Sequence, residues 1–458
     1  MRNVLDVTKR AIKGPICSER DFDRKVFAPR LSEALKQCDI KYDPAVLIPS
    51  DDGMADDLFK AAVDFYTDVG TYCLDTERII RFNEDEIKEG LREAPSEAVF
   101  GEGLDSEVFR PRKPESKDPT WCFIGACGAP VSSEEVFLSL MQGYGTIALA
   151  DAMTTPELTM IDELPIRVNS PLEIYGSIRN AVLARDALRR VGRPGLPIMN
   201  ALATAASDTA LIAALHPMYG LRPSDGYFVA TLAELKTTFA LLNKACVLTS
   251  LGARIGTLAG CVMGGYAGGP EGTALTVAAH HVHGTLVNQA TYHLNHPAHM
   301  KYVSNSGAEM LWLISMYAQA VSRNTHLLSL NLNYTAGGPA TEMAFYETAA
   351  QVITAVVSGI SIESSALAKA THVDYLSTVE PKFAAEVAHA TAGMKRTDAN
   401  EIVKTLVKKY VDKIPNPPLG KRYQDNFDTK TGKPSREHLD IYNRIKKELE
   451  DLGLEFKY

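Results

Sequence analysis

From about residue 146 to 363, short apolar runs alternate with amphipathic stretches of helix length, and this pattern constrains the fold of the chain more than any other feature. Such runs read as buried strands, whereas the stretches between them repeat their apolar positions at helix spacing. Thr146–Ala150 reads as a strand ending at Asp151, Pro171–Arg190 as a helix, and Leu196–Met199 as the next strand. A helix over Thr231–Leu251 leads to a strand over Gly256–Met263, and a helix over Pro270–Gln289 to a strand over Ala290–Leu294. Gly307–Ser322 reads as a helix before the strand Leu328–Tyr334, and Pro339–Val357 as a helix before the last strand, Ile360–Glu363. Repeated strand–helix units over roughly 250 residues favour a (β/α)8 TIM barrel of the α/β class over an open sheet.

The flanks differ in pattern from this body. Residues 1–115 are polar with helix-spaced apolar positions, as in Asp56–Tyr66, and predict an N-terminal helical extension. The Pro- and charge-rich loop Arg110–Pro119 separates them from a barrel domain over 116–395. Residues 396–458 are polar, lysine-rich and helical; their last helix, Glu437–Leu452, ends near the capping Gly453.

Composition narrows the function. A formal net charge of -8 argues against nonspecific nucleic-acid binding, and Lys408-Lys409 and Lys446-Lys447 read as solvated helix faces. Asp6 and Lys9 interrupt what a secretory signal would need as an apolar core. Lys244, Arg254 and Asp208 break the apolar runs before the roughly 20 residues that a membrane span requires. The expectation is a cytoplasmic protein with no membrane or nucleic-acid partner. Seven cysteines without a Cys-x-x-Cys indicate neither a disulfide framework nor a thiolate zinc site. Gly264–Thr273 lacks the dinucleotide and P-loop spacings, and no Gly-x-Ser-x-Gly elbow is present.

In a barrel the residues just after the strands converge on one face, where chemistry is expected. Here these are Asp151, Met199, Asn200, Gly264–Gly269, Asn295, Asn333–Ala336 and Glu363, a set poor in acids and bases. The run Gly264–Gly269 before Pro270 reads as a tight turn, with a cradle for an anionic group as the alternative. Thr341 or Glu342 is placed to satisfy helix N-terminal donors. Six histidines fall between 280 and 299: His280, His281, His283, His293, His296 and His299. Adjacent helical side chains diverge by about 100°, and no His pair at i, i+4 with a Glu is present, so structural or pocket-lining histidines are expected rather than a metal site. Tyr227, Phe228, Tyr266, Tyr334 and Phe345 are candidates to line a cavity able to hold a cation against ring faces, the alternative being ordinary core aromatics.

Collinear motifs extend over nearly the whole chain. They include Asp75–Ile80, Pro130–Phe137, Gly192-Arg-Pro-Gly195, Gly264-Gly-Tyr-Ala-Gly-Gly269, Tyr292-His-Leu294, Pro339-Ala-Thr-Glu-Met343 and Glu386–Gly393. In these the chain resembles the monomethylamine methyltransferases. The resemblance implies a (β/α)8 barrel, a hexameric homo-oligomer, and methyl transfer to the Co(I) form of a separate small corrinoid protein docked over the barrel mouth. Cobalt is carried by that partner, so no cofactor is expected on this chain itself. The family's pyrrolysine, an electrophilic imine that captures methylamine, is matched by Met199, with Asn200 next to it. Two glutamates and a glutamine of the family's site are matched by Phe228, Leu258 and Leu332, and only Tyr334 is retained. Met199, Phe228, Leu258, Leu332 and Tyr334 are therefore the expected reaction-site residues, with Tyr227, Asn200, Asn333, Tyr266 and Glu342 as substrate contacts. Four changes toward apolar side chains favour a methyl donor already activated by permanent charge, such as a quaternary amine, over monomethylamine. A catalytically silent relative that binds a ligand or the corrinoid protein as scaffold or sensor is the alternative.

Overall fold

The computed structural model describes residues 4–199, 207–216, 218–367 and 372–457. Its centre is a parallel sheet of seven strands: β1 (Cys122–Gly125), β2 (Ala152–Thr154), β3 (Gly226–Thr231), β4 (Arg254–Ala259), β5 (Tyr292–Asn295), β6 (Leu328–Tyr334) and β7 (Ser361–Ala366). The strands are ordered β3-β4-β5-β6-β7-β1-β2, and every neighbouring pair is parallel. The remaining gap, between β2 and β3, is filled by Ile198–Met199, which bridges to Met153 on one side and Gly226 on the other. The sheet thus closes as an eight-segment barrel.

Eight helices alternate with these segments: α1 (Glu134–Gly145), α2 (Pro171–Arg190), α3 (Asp208–Ala214), α4 (Phe239–Ser250), α5 (Pro270–Leu286), α6 (Ala308–Asn324), α7 (Glu342–Val357) and α8 (Val379–Thr391). Ser133, Ser207, Thr238 and Thr341 cap α1, α3, α4 and α7 by accepting a backbone N–H. Thus Thr341 is a cap, and Glu342 beside it instead pairs with Arg444 of the C-terminal helix Arg436–Asp451.

Among the described residues Ile198–Met199 is the thinnest part of the barrel wall, and one buried ion pair fixes it. Asp225, at the entry to β3, accepts the Ile198 N–H at 2.9 Å and the Arg222 N–H at 2.6 Å. The Arg185 guanidinium of α2 donates to the same carboxylate and, at 3.2 Å, to the Leu196 carbonyl. Both side chains are buried, at 2% and 1% exposure, so the pair is held without competition from water.

The interior of the barrel is filled from its N-terminal end. A hairpin of Ala98–Phe100 and Glu107–Phe109 brings Phe100 and Phe109 against Trp121, just before β1. Above them Tyr292 and Phe228 meet edge-on at 5.4 Å. Gly256 makes that approach possible, since a Cβ there would lie 2.4 Å from the Tyr292 ring and 2.8 Å from Phe228. The open end is therefore the C-terminal one.

Several expectations are corrected. Thr146–Ala150 is not a strand but the turn ending α1, with Thr146 N–H bonded to Gln142 O; the strand follows at Ala152. Thr231–Leu251 is not one helix: Thr231 ends β3, and Glu234 and Leu235, at φ +59° and +58°, turn the chain before α4 begins at Phe239. The N-terminal part is not purely helical, because besides Val4–Lys13, Ala28–Gln37, Asp52–Val69 and Glu84–Glu93 it holds the plugging hairpin and the antiparallel pair Thr71–Cys73 and Arg78–Ile80. Among the described residues no helix is long and apolar enough to cross a membrane.

Because Asp225 is the common acceptor at the seam, Asp225→Ala leaves Arg185 buried without its partner. The expected cost is about 3–5 kcal/mol in chemical denaturation, with Asp225→Asn less affected.

Candidate functional site

At the C-terminal mouth lies a cavity of about 370 Å³, lined by residues that include Met199, Phe228, Leu258, Leu332 and Tyr334. These five expected reaction-site residues come from four wall segments, Leu332 and Tyr334 sharing β6, and alternation along the strands aims them inward. Register explains their mutual placement: Phe228 pairs with Gly256, Leu258 with Leu294, and Leu332 with Glu363. A register shift between Leu332 and Tyr334 lets both face the mouth region, while Asn305 Oδ1 accepts the Tyr334 N–H at 2.8 Å. Burial raises the Tyr334 phenol to about 12, so it stays neutral.

The expected substrate contacts lie elsewhere. Tyr227 points outward because it follows the opposite parity to Phe228, and its hydroxyl donates to the Arg222 carbonyl at 2.5 Å. Asn333, between Leu332 and Tyr334, is buried on the outer face and accepts from Asn331 at 3.2 Å. Tyr266 is 43% exposed and lines a surface groove against the helix Ala28–Gln37. Glu342 is the ion-paired first residue of α7. Asn200 lies outside the described residues. The glycine run forms a turn, with Gly264 N–H on Gly268 O and Gly268 N–H on Gly265 O, and packs against the same N-terminal helix.

The histidines form a polar layer between the strands and α5. His280 shares a hydrogen bond with Thr231 at 3.0 Å, His281 with Ser329 at 3.0 Å, His283 with Thr71 at 2.9 Å and His293 with Thr257 at 3.0 Å. Burial lowers the pKa values of all four, which favours neutral rings. Only His296 of the six faces the cavity, also lowered by burial, to about 4. Among the described residues no three His, Cys, Asp or Glu side chains are grouped to hold a metal.

Two wall residues carry polar chemistry that motif reading passed over. Glu363 on β7 is 3% exposed, and its Oε2 has no hydrogen-bond partner among the described residues. Desolvation pushes its carboxyl up to about 8, with the Cys127 thiol as the opposing, anion-favouring contact. Cys127 follows β1 in the left-handed region, at φ +49°, a conformation costly for a non-glycine residue and commonest where function demands it. Glu363 was legible as a strand end, but a single carboxyl in sequence carries no sign of its isolation. The cavity is thus an apolar and aromatic chamber with, among the described residues, one buried acid, at the face of the barrel where enzymes of this fold place their sites.

A barrel protein with a small-ligand chamber at its C-terminal mouth is the class that fold and site define. Comparison with known proteins specifies it further: the family described as "Monomethylamine methyltransferase MtmB" matches residues 2–454, and the chain belongs to that family. Monomethylamine methyltransferase MtmB2 of Methanosarcina barkeri is 31% identical over 98% of both chains. The MtmB protein of Methanosarcina mazei is 30% identical over the same share. The crystal structure of the Methanosarcina barkeri monomethylamine methyltransferase superposes with a TM-score of 0.95 at 30% identity, covering 100% of each chain. A structure titled as the hydroxylamine complex of MtmB matches equally well. The chain is accordingly a methyltransferase with a (β/α)8 barrel.

The raised Glu363 carboxyl has a consequence for stability. An exposed glutamate loses its proton near pH 4.3, whereas in the folded chain Glu363 keeps it to about pH 8. The folded state therefore binds more protons across that window, and its contribution to stability is lost as pH rises through it. Glu363→Gln, which imitates the protonated form, is expected to gain stability relative to the parent between pH 5 and 8. Denaturant midpoints that track each other across this range would contradict the assignment.

Proposed function

We propose that this methyltransferase transfers a methyl group from a permanently charged methylated amine, a quaternary ammonium compound, to the reduced corrinoid of a small partner protein docked over the mouth. No cofactor resides on this chain in that reading, and Met199 stands where the family's pyrrolysine would be. The observation that carries it is the lining of the chamber, which among the described residues is mainly apolar, with Met199, Phe228, Leu258, Leu294 and Leu332 on its wall.

The chemistry supplied by the reduced corrinoid is nucleophilic capture of the methyl carbon; the C–N bond breaks and nitrogen keeps the electron pair. A quaternary nitrogen leaves as a neutral amine and needs no proton. It also has no N–H to satisfy, so apolar walls leave none of its groups without a hydrogen bond, whereas the three donors of methylammonium would find few acceptors among the described lining residues. Ring faces attract such a cation, and Phe228 and Tyr334 both border the chamber. Its size, about 370 Å³, falls within the roughly 300–1,000 Å³ of pockets that hold ordinary small molecules, ample for a donor bulkier than monomethylamine. This chain's own contribution is to exclude water and to hold the methyl in line with the incoming nucleophile.

Methylation of the partner's corrinoid, followed by absorbance with a panel of monomethylamine, tertiary and quaternary amines, tests the proposal. Turnover with a quaternary amine is expected; turnover with monomethylamine alone would overturn it. Phe228→Ala is expected to lower kcat/KM for the quaternary substrate about 30-fold, the equivalent of a desolvated cation–ring contact of about 2 kcal/mol.

A further inference from the structure

We propose that Glu363, set against Cys127, is the counter-ion of the chamber: it holds a proton when the chamber is empty and releases it to solvent as a methylated cation takes its place. This rests on the reading above and adds the group that neutralises the substrate's charge. An apolar chamber with aromatic walls attracts a cation weakly unless a negative charge accompanies it, because a lone buried charge is costly. Among the described residues Glu363 is the acid on that wall, and its Oε2 is buried with no hydrogen bond to any of them.

The other titratable neighbours do not take this role. Cys127, on the loop after β1, has its thiol pushed well up by burial and by Glu363 itself. Tyr292 on β5 and Tyr334 on β6 are phenols raised by burial. His296, after β5, is held neutral by burial and offers Glu363 no positive charge. Among the described residues no lysine or arginine lines the chamber, so an entering cation supplies the positive charge. The balance is one cation in and one proton out: the O–H bond of the carboxylic acid breaks, the proton goes to water, and the carboxylate stays beside the cation. Cys127 is a positioning residue, its unusual backbone keeping the thiol against the carboxyl.

The link to pH follows from the raised carboxyl, at about 8 in the empty chamber. Below that value each pH unit is expected to tighten cation binding close to tenfold, with a plateau above it.

Calorimetric titration of the protein alone with tetramethylammonium, in two buffers of different ionisation enthalpy at pH 7, tests this. The expected result is release of close to one proton per cation bound, and for Glu363→Gln a binding constant at least tenfold weaker, with no proton release and no pH dependence. Neopentyl alcohol, a neutral molecule of similar shape, is expected to bind both proteins within twofold, which reports an intact chamber in the variant. Cation binding to the parent without proton release, or equal binding to Glu363→Gln, overturns the counter-ion while leaving the proposed function standing. Failure of the parent to bind tetramethylammonium at any pH overturns both.

Discussion

The barrel depends on a buried contact at its weakest seam, where Arg185 and Asp225 hold Ile198–Met199 between two strands that do not pair directly. Seven strands share ladders with their neighbours, but among the described residues the eighth segment has only a few backbone bonds, such as Met199 N–H to Met153 O at 2.7 Å. One carboxylate gathers two backbone N–H groups and a guanidinium there, and the guanidinium reaches on to Leu196 O. The same clamp that closes the barrel therefore fixes where Met199 meets the chamber. Stability and site geometry are coupled through it.

Division of labour between the two faces of the wall follows from strand parity. Inward positions carry Phe228, Leu258, Leu294 and Leu332, with Glu363 and Thr154 as polar members, and the N-terminal hairpin blocks the lower end with Phe100 and Phe109. Outward positions carry Thr231, Thr257, His293 and Ser329, whose polar groups are satisfied by the histidines of α5 and by one another. The wall is polar where it is sealed by helices and apolar where a ligand would sit. Among relatives about 30% identical over the whole chain, this is a family scaffold whose interior is here mostly hydrocarbon.

Sequence and structure agree where periodicity is long and unambiguous. Pro171–Arg190 is a helix and Leu328–Tyr334 a strand with the expected bounds; Pro171 and Gly192 bracket the first, and Gly337-Gly338-Pro339 follow the second. Cys122–Gly125 is too short to signal a strand, and Gly226–Thr231 runs directly into residues that imitate a helix start. The converging residues Met199, Phe228, Leu258, Leu332 and Tyr334 were legible through family resemblance and lie together on the chamber wall. Tyr227 and Asn333 were not separable from their inward neighbours, since a one-residue step reverses the face. Glu363 and Cys127 needed three dimensions, because isolation of a carboxyl is a property of its surroundings.

On the proposed function, a methylated cation binds in the chamber between Phe228, Tyr334 and Glu363. A crystal structure of the protein soaked with trimethylselenonium tests it most directly, since anomalous scattering marks the selenium without reference to the shape of the density. One strong site is expected, within about 6 Å of the Phe228 or Tyr334 ring centre and next to the Glu363 carboxylate. An empty chamber, or selenium bound only on the protein surface, would contradict it.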